Sequence, residues 1–259
     1  TGNLLSPFPE EANRQLTGVL ANYHFAPTET ARDNLLREHK DPSRIFVTGN
    51  TVIDALFATV KKDYTFADKE LEQIEEHKRV ILVTTHRREN LGAPMHHVYR
   101  ALRRLVDDIP DTEIVFPVHR NPLVREAVSE ELEGHPRIHL VEPMEYEPFT
   151  NLMARSAIVL TDSGGIQEEA PSLGKPVLVL RDTTERPEAV AAGTVKLVGT
   201  DEEAVYETAH KLLTDEGAYR EMAEAVNPYG DGHASVRIVA WLLHHAGLTE
   251  TVPAPFVTK

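Results

Sequence analysis

The residue types with most chemical content are bunched in one stretch, Leu160-Thr-Asp-Ser-Gly-Gly-Ile-Gln-Glu-Glu-Ala-Pro-Ser-Leu-Gly-Lys-Pro-Val-Leu-Val-Leu. An apolar strand ends at Asp162, a Ser163-Gly164-Gly165 turn follows, and a helix begins near Ile166. Unpaired backbone N–H groups at a helix start carry partial positive charge. Glycine lets a phosphate approach them closely. The same pattern also serves as a tight strand-to-helix turn with no ligand, and Ser-Gly-Gly by itself does not choose. Gln167-Glu168-Glu169 tilts the balance, because carboxylates beside an anion are costly unless they accept from hydroxyls such as those of a ribose.

Two further loops have the right chemistry. Leu180-Arg-Asp-Thr-Thr-Glu-Arg-Pro-Glu offers guanidinium and hydroxyl donors beside carboxylates, which suits phosphate and sugar recognition. The plain alternative is a helix N-terminus capped by Thr183 or Thr184. Thr84-Thr-His-Arg-Arg-Glu-Asn is an electropositive spot in an acidic chain, and such a spot can focus an anionic ligand whatever the net charge. Three polar loops after three buried strands predict a common cleft. His96-His97 and His244-His245 are adjacent pairs; neighbours on a helix face apart, so neither reads as a chelate, and no metal site is expected. Glu10 and Arg14 stand four apart, which by spacing alone reads as an i,i+4 ion pair.

Positioning these loops requires strands. Apolar, β-branched runs begin at Arg44, Val80, Glu113, Ile138, Ala157, Pro176 and Thr194. Most lack polar alternation, the signature of strands covered on both faces in a parallel sheet. Helices are predicted between them at Pro94 to Val106, at Asn121-Pro122 through Leu132, and around Pro148. The alternation gives an α/β doubly wound sheet. Three helical stretches close the chain, Asp201 to Thr214, Ala218 to Ala225 and Ala234 to Ala246, with Asn227-Pro-Tyr-Gly-Asp-Gly as a turn between the last two. The two-proline tail from Thr249 is predicted extended or frayed.

Composition narrows the classes. The 259 residues carry 41 acidic against 27 basic side chains, a net charge of −14, which argues against a nucleic-acid partner. Absence of cysteine excludes a disulfide scaffold, a thiolate zinc site and a cysteine nucleophile in this chain. No apolar run approaches the ~20 residues of a membrane span, and no signal-peptide pattern opens the chain. The expectation is a cytoplasmic, soluble protein. The start, Thr-Gly-Asn without an initiator methionine, reads as the middle of a longer protein.

Taken together, the strings resemble the non-hydrolysing UDP-N-acetylglucosamine 2-epimerases of bacteria. The resemblance rests on Ser6-Pro-Phe-Pro-Glu-Glu-Ala-Asn-Arg, Phe46-Val-Thr-Gly-Asn-Thr-Val-Ile-Asp-Ala-Leu, Val83-Thr-Thr-His-Arg-Arg-Glu, Pro117-Val-His-Arg-Asn-Pro, Thr161 through Thr200, and Asn227-Pro-Tyr-Gly-Asp-Gly. It implies an α/β chain of GT-B type with two Rossmann-like doubly wound domains, the first only partly present. On that pattern residues 1–44 are the remainder of the N-terminal domain and 45–234 the UDP-binding domain. Residues 235–259 are then a helix and tail crossing back to the first domain.

The resemblance also implies function. UDP-GlcNAc and UDP-ManNAc would interconvert by loss of the C2 proton with expulsion of UDP, giving 2-acetamidoglucal, and re-addition from the other face. No cofactor or metal is implied, and a homodimer is. Matched by motif, Ser163, Gly164 and Gly165 are similar to diphosphate contacts, Glu169 to the ribose partner, Arg186 to a further nucleotide-site residue, and Phe149 to a uracil contact. His86 resembles the histidine near the diphosphate that supports elimination. Glu10 resembles a carboxylate of proton transfer and Arg14 a neighbour needed for activity, against the ion-pair reading. Arg87 and His119 match positions that some members use for a second, activating UDP-GlcNAc. Met144 stands where relatives can carry glutamine. The family's leading segment, with a Gly-Thr-Arg-Pro-Glu loop and a catalytic aspartate, has no counterpart here. The alternatives are therefore a UDP-binding but inactive fragment, a GT-B glycosyltransferase, or a hydrolysing relative.

Overall fold

The computed structural model describes residues 2–5, 8–74 and 77–258. Ser6 and Pro7 of the first matched string lie outside the described residues. The chain divides into two units: Thr1–Phe57 with Asn227–Lys259, and Ala58–Val226.

The first unit contains α1 (Glu10–Leu20), β1 (His24–Ala26), α2 (Glu29–Arg37) and β2 (Ile45–Val47). α3 (Thr51–Thr59) then leads out of it. β1 and β2 pair in parallel, Phe25 opposite Phe46. β1 is absent from the sequence-based expectation, since His24-Phe25-Ala26 has no β-branched residue and forms no apolar run. Because β2 pairs with β1, the unit boundary falls near residue 57 and not at 44/45 as the motifs suggested.

The second unit is a six-stranded sheet. In chain order it runs α4 (Lys69–Glu72), β3 (Arg79–Thr84), α5 (Ala93–Asp108), β4 (Thr112–Pro117), α6 (Pro122–Leu132), β5 (Ile138–Val141) and α7 (Tyr146–Arg155). It continues with β6 (Ile158–Thr161), α8 (Ile166–Glu169), β7 (Val177–Val179), α9 (Pro187–Ala191), β8 (Val195–Leu197), α10 (Glu202–Thr214) and α11 (Glu216–Ala223). The strand order is β5-β4-β3-β6-β7-β8, and every pairing is parallel.

The doubly wound sheet expected from the apolar runs is therefore present. β6 and β7 are buried at every position, as strands with helices on both faces must be. α5 packs Met95, Val98, Tyr99, Leu102, Leu105 and Val106 into the core, the three-and-four spacing of one helical face. Gly174, at φ +67, ends the 3₁₀ turn after α8 and turns the chain into β7, a left-handed position that glycine takes without steric cost. Among the described residues no helix is long and apolar enough to cross a membrane.

α12 (Ala234–His245) returns to the first unit. Its Trp241 ring meets Tyr23 at 4.9 Å and Phe25 at 5.4 Å. The tail is held as well. Phe256 is buried and donates its N–H to the Val47 carbonyl at 2.8 Å, so this part is extended but not frayed.

Candidate active site

The loops after β3, β6 and β7 leave adjacent strands at the carboxyl edge of the second unit's sheet. Between β3 and β6 the strand order reverses. Connections there leave on opposite faces and open a crevice, which is where open α/β sheets bind ligands. The three polar loops thus stand where that topology opens a crevice.

The strand ends are stitched first. The Thr84 and Thr161 hydroxyls lie 2.7 Å apart, and Thr161 Oγ1 accepts the Ser163 N–H at 2.9 Å. Beside them Thr85 Oγ1 meets the buried Tyr99 hydroxyl at 2.7 Å.

Asp162 organises the rest. It is 0% exposed and accepts the backbone N–H groups of His86 and Arg87, each at 2.9 Å, and the Asn90 amide at 3.3 Å. His86 Nδ1 lies 2.9 Å from Asp162 Oδ1. Burial alone would disfavour the carboxylate. The His86 ring and the two backbone donors outweigh that and hold its pKa below the usual range. An ionised carboxylate only accepts, so the His86 hydrogen sits on Nδ1 and Nε2 is left for a substrate. The His86 side chain is 40% exposed, and the His119 ring stacks on it with centroids 6.0 Å apart.

Asp162 entered the sequence reading only as the end of a strand. The signal that could have flagged it is a carboxylate closing an apolar run, since a buried charge must have partners.

Gly164 and Arg186 come together: a Cβ on Gly164 would lie 3.9 Å from the Arg186 guanidinium carbon. Buried Gln167 ties the two loops, donating to the Ser163 carbonyl at 3.1 Å and accepting from the Thr184 hydroxyl at 2.6 Å. Thr184 also accepts the Arg186 N–H at 3.0 Å, so it braces this turn, whereas α9 has no side-chain cap of its own. The adjacent carboxylates divide their partners. Glu168 pairs with Arg186, while Glu169 accepts the Tyr146 hydroxyl at 2.6 Å. Burial raises the Glu169 pKa, the Tyr146 bond opposes this, and the charge of Glu168 adds to the rise. Phe149 lies on α7 three residues after Tyr146 and is half-buried.

His86, Arg87, His119, Ser163, Gly164 and Arg186 are thus assembled by three neighbouring strand ends and the loop after β4. Arg87 donates through Nε to the Asp162 carbonyl at 3.2 Å and through Nη2 to Glu185 Oε1 at 3.2 Å. Gly165 is exposed on the same turn.

The expected Glu10–Arg14 ion pair is corrected by the structure of the first unit. Arg14 donates to Glu11 through Nε at 3.0 Å and Nη2 at 2.7 Å, and also binds Glu38. Glu11 is buried and holds its charge against that burial, with a pKa well below the usual range, because Arg14 binds it twice. The i,i+3 neighbour Glu11 takes the Nε/Nη2 edge of the guanidinium and Glu38 takes the Nη1/Nη2 edge, so Glu10 is left exposed at the start of α1. Among the described residues no cluster of three histidine, cysteine, aspartate or glutamate side chains could hold a metal ion.

Comparison with known proteins fits this geometry. The family model described as UDP-N-acetylglucosamine 2-epimerase matches residues 1–243. The UDP-N-acetylglucosamine 2-epimerase of Bacillus subtilis is 57% identical over 259 residues, covering 100% of this chain and 67% of its own length. The solved structure of S. aureus MnaA with UDP is 50% identical, with a TM-score of 0.91 over 98% of this chain and 69% of its own. The Neisseria meningitidis UDP-GlcNAc 2-epimerase solved with UDP-GlcNAc is 51% identical, TM-score 0.85, covering 94% of this chain and 67% of its own. The chain thus spans about two thirds of their length, and the expected α/β fold of GT-B type is borne out. The chain belongs to the UDP-N-acetylglucosamine 2-epimerase family.

Proposed function

We propose that the protein is a UDP-GlcNAc 2-epimerase of the non-hydrolysing kind, interconverting UDP-GlcNAc and UDP-ManNAc. The observation that carries this is the pairing of His86 with buried Asp162 at the sheet's switch point, beside the Ser163-Gly164-Gly165 turn and Arg186. In this reading the turn's amides and Arg186 hold the diphosphate, Glu169 accepts from the ribose hydroxyls, and Phe149 meets the uracil. Met144 supplies no amide there. Elimination moves the C2 proton to a base and the C1–O electrons to departing UDP. Negative charge then grows on the diphosphate, and donors fixed beforehand stabilise it most. His86, oriented by Asp162, supports that departure. Glu10 takes part in proton transfer and Arg14 supports the α1 segment that carries it. Re-addition of UDP to 2-acetamidoglucal and protonation on the other face complete the inversion.

Arg87 and His119 are assigned to a second, activating UDP-GlcNAc, with His119 seated against His86. A homodimer and a cytoplasmic location go with the same reading.

Turnover in deuterated water tests it. The product should carry deuterium at C2, and unlabelled product would remove the elimination route. UDP binding without any UDP-ManNAc would favour a binding module, and sugar transfer to an acceptor would favour a glycosyltransferase.

A further inference from the structure

The corner above Gly164 already holds an anion. Glu185 Oε1 lies 2.6 Å from where a Gly164 Cβ would stand. Its oxygens accept from Arg87 Nη2 at 3.2 Å and from Arg181 Nη1 at 2.7 Å. Both arginines are fixed from behind, Arg181 by Glu89 at 2.8 Å and Arg87 by the Asp162 carbonyl. Arg181 is only 11% exposed. Burial disfavours the Glu185 charge, but its own backbone N–H and the two guanidiniums overcome this and keep it ionised.

A carboxylate between two guanidiniums, packed on a glycine turn, has the charge and hydrogen-bonding pattern of a phosphate edge. A diphosphate drawn to Gly164 would meet that carboxylate at contact distance. Like charges so close in a partly desolvated corner repel strongly.

We propose that Glu185 is a displaceable counter-anion of the nucleotide cradle. It neutralises Arg87 and Arg181 while no diphosphate is present and moves off Gly164 when one enters, thereby weakening the hold on UDP. This rests on the reading of Ser163, Gly164 and Gly165 as the diphosphate site. It has a use in an elimination mechanism. UDP must leave C1 and return to it, and uncompensated positive charge beside Gly164 would hold the departed nucleotide through its field, although Arg87 itself is assigned to the second UDP-GlcNAc. An ion pair that only braced the loop would behave oppositely, since its loss would disorder the arginines and weaken UDP.

Calorimetric titration of the protein and of Glu185→Gln with UDP, and with uridine as an uncharged control, tests the idea. UDP should bind the variant about tenfold more tightly, the order expected when a close like charge is removed, with uridine unchanged. Glu185→Ala should move the same way, and retained uridine binding shows that either variant is folded. Equal or weaker UDP binding by the variants, or equal tightening of uridine, overturns the proposal while leaving the diphosphate site standing. Failure of the unsubstituted protein to bind UDP overturns the site and this inference together.

Discussion

Neighbouring acids in this chain do different work because their partners differ. Glu168 is committed to Arg186, whereas Glu169 has the Tyr146 hydroxyl on one oxygen. Protonating Glu169 would convert an acceptor of ribose hydroxyls into a competitor for them. Burial puts that protonation above the ordinary carboxylate value of 4.5. UDP affinity is therefore expected to decline as pH falls through a point higher than 4.5. The Tyr146 bond lowers the Glu169 pKa, so Tyr146→Phe raises it further and the decline begins at a higher pH. Affinity well above the carboxylate range should change little, and the variant's affinity should fall behind that of the unsubstituted protein as the pH is lowered toward that range. Superimposable pH profiles of Kd would separate Tyr146 from the site. The sequence shows the residues of these loops but not their partners. Asp162 and His86 are 76 residues apart, Tyr146 and Glu169 23 apart. Such contacts depend on strand order, which periodicity does not encode.

Elements that are buried on two faces were readable, whereas the contacts supplied by partners far along the chain were not. The six sheet strands of the second unit show as apolar runs, and α6 shows its Asn121 cap and first-turn Pro122. β1, His24-Phe25-Ala26, has no β-branched residue and is only partly buried, so no apolar run marks it. α12 was legible as a helix, but its cap was not. Its first residues carry no local side-chain cap. Asp54 of α3 supplies one from 180 residues away, accepting the Ala234 N–H at 3.1 Å and the Ser235 N–H at 2.7 Å. A separate bond, from the Asn50 N–H to the Tyr229 carbonyl at 2.7 Å, joins two of the strings that carry the family resemblance, Phe46 to Leu56 and Asn227 to Gly232. Asp54→Ala should cost about 0.5–2 kcal/mol, the usual range for a lost cap, and the loss should be local. Hydrogen exchange should speed up at the α12 amides and leave β3 and β6 protected. Uniform loss of protection would mean that Asp54 holds more than this helix.

A net charge of −14 does not prevent anion binding, because Arg87, Arg181 and Arg186 are gathered at one sheet edge and the acids around them are paired. All the groups assigned to UDP belong to the second unit, whereas Glu10 belongs to the first. Binding and proton transfer are therefore separable by substitution. Glu10→Gln keeps the size of the side chain and removes its capacity to accept a proton. It leaves the Arg14 pairing with Glu11 and Glu38 intact. For a group that moves a proton in the transition state, the loss in kcat is of order 10²–10⁴. The Kd for UDP should stay within about twofold of the unsubstituted protein. Deuterium exchange at C2 should fall in step with turnover, since the same proton is involved. Turnover surviving in Glu10→Gln would release this carboxylate from the reaction. A parallel loss of UDP affinity would instead show that Glu10 acts on nucleotide binding and not on proton transfer alone.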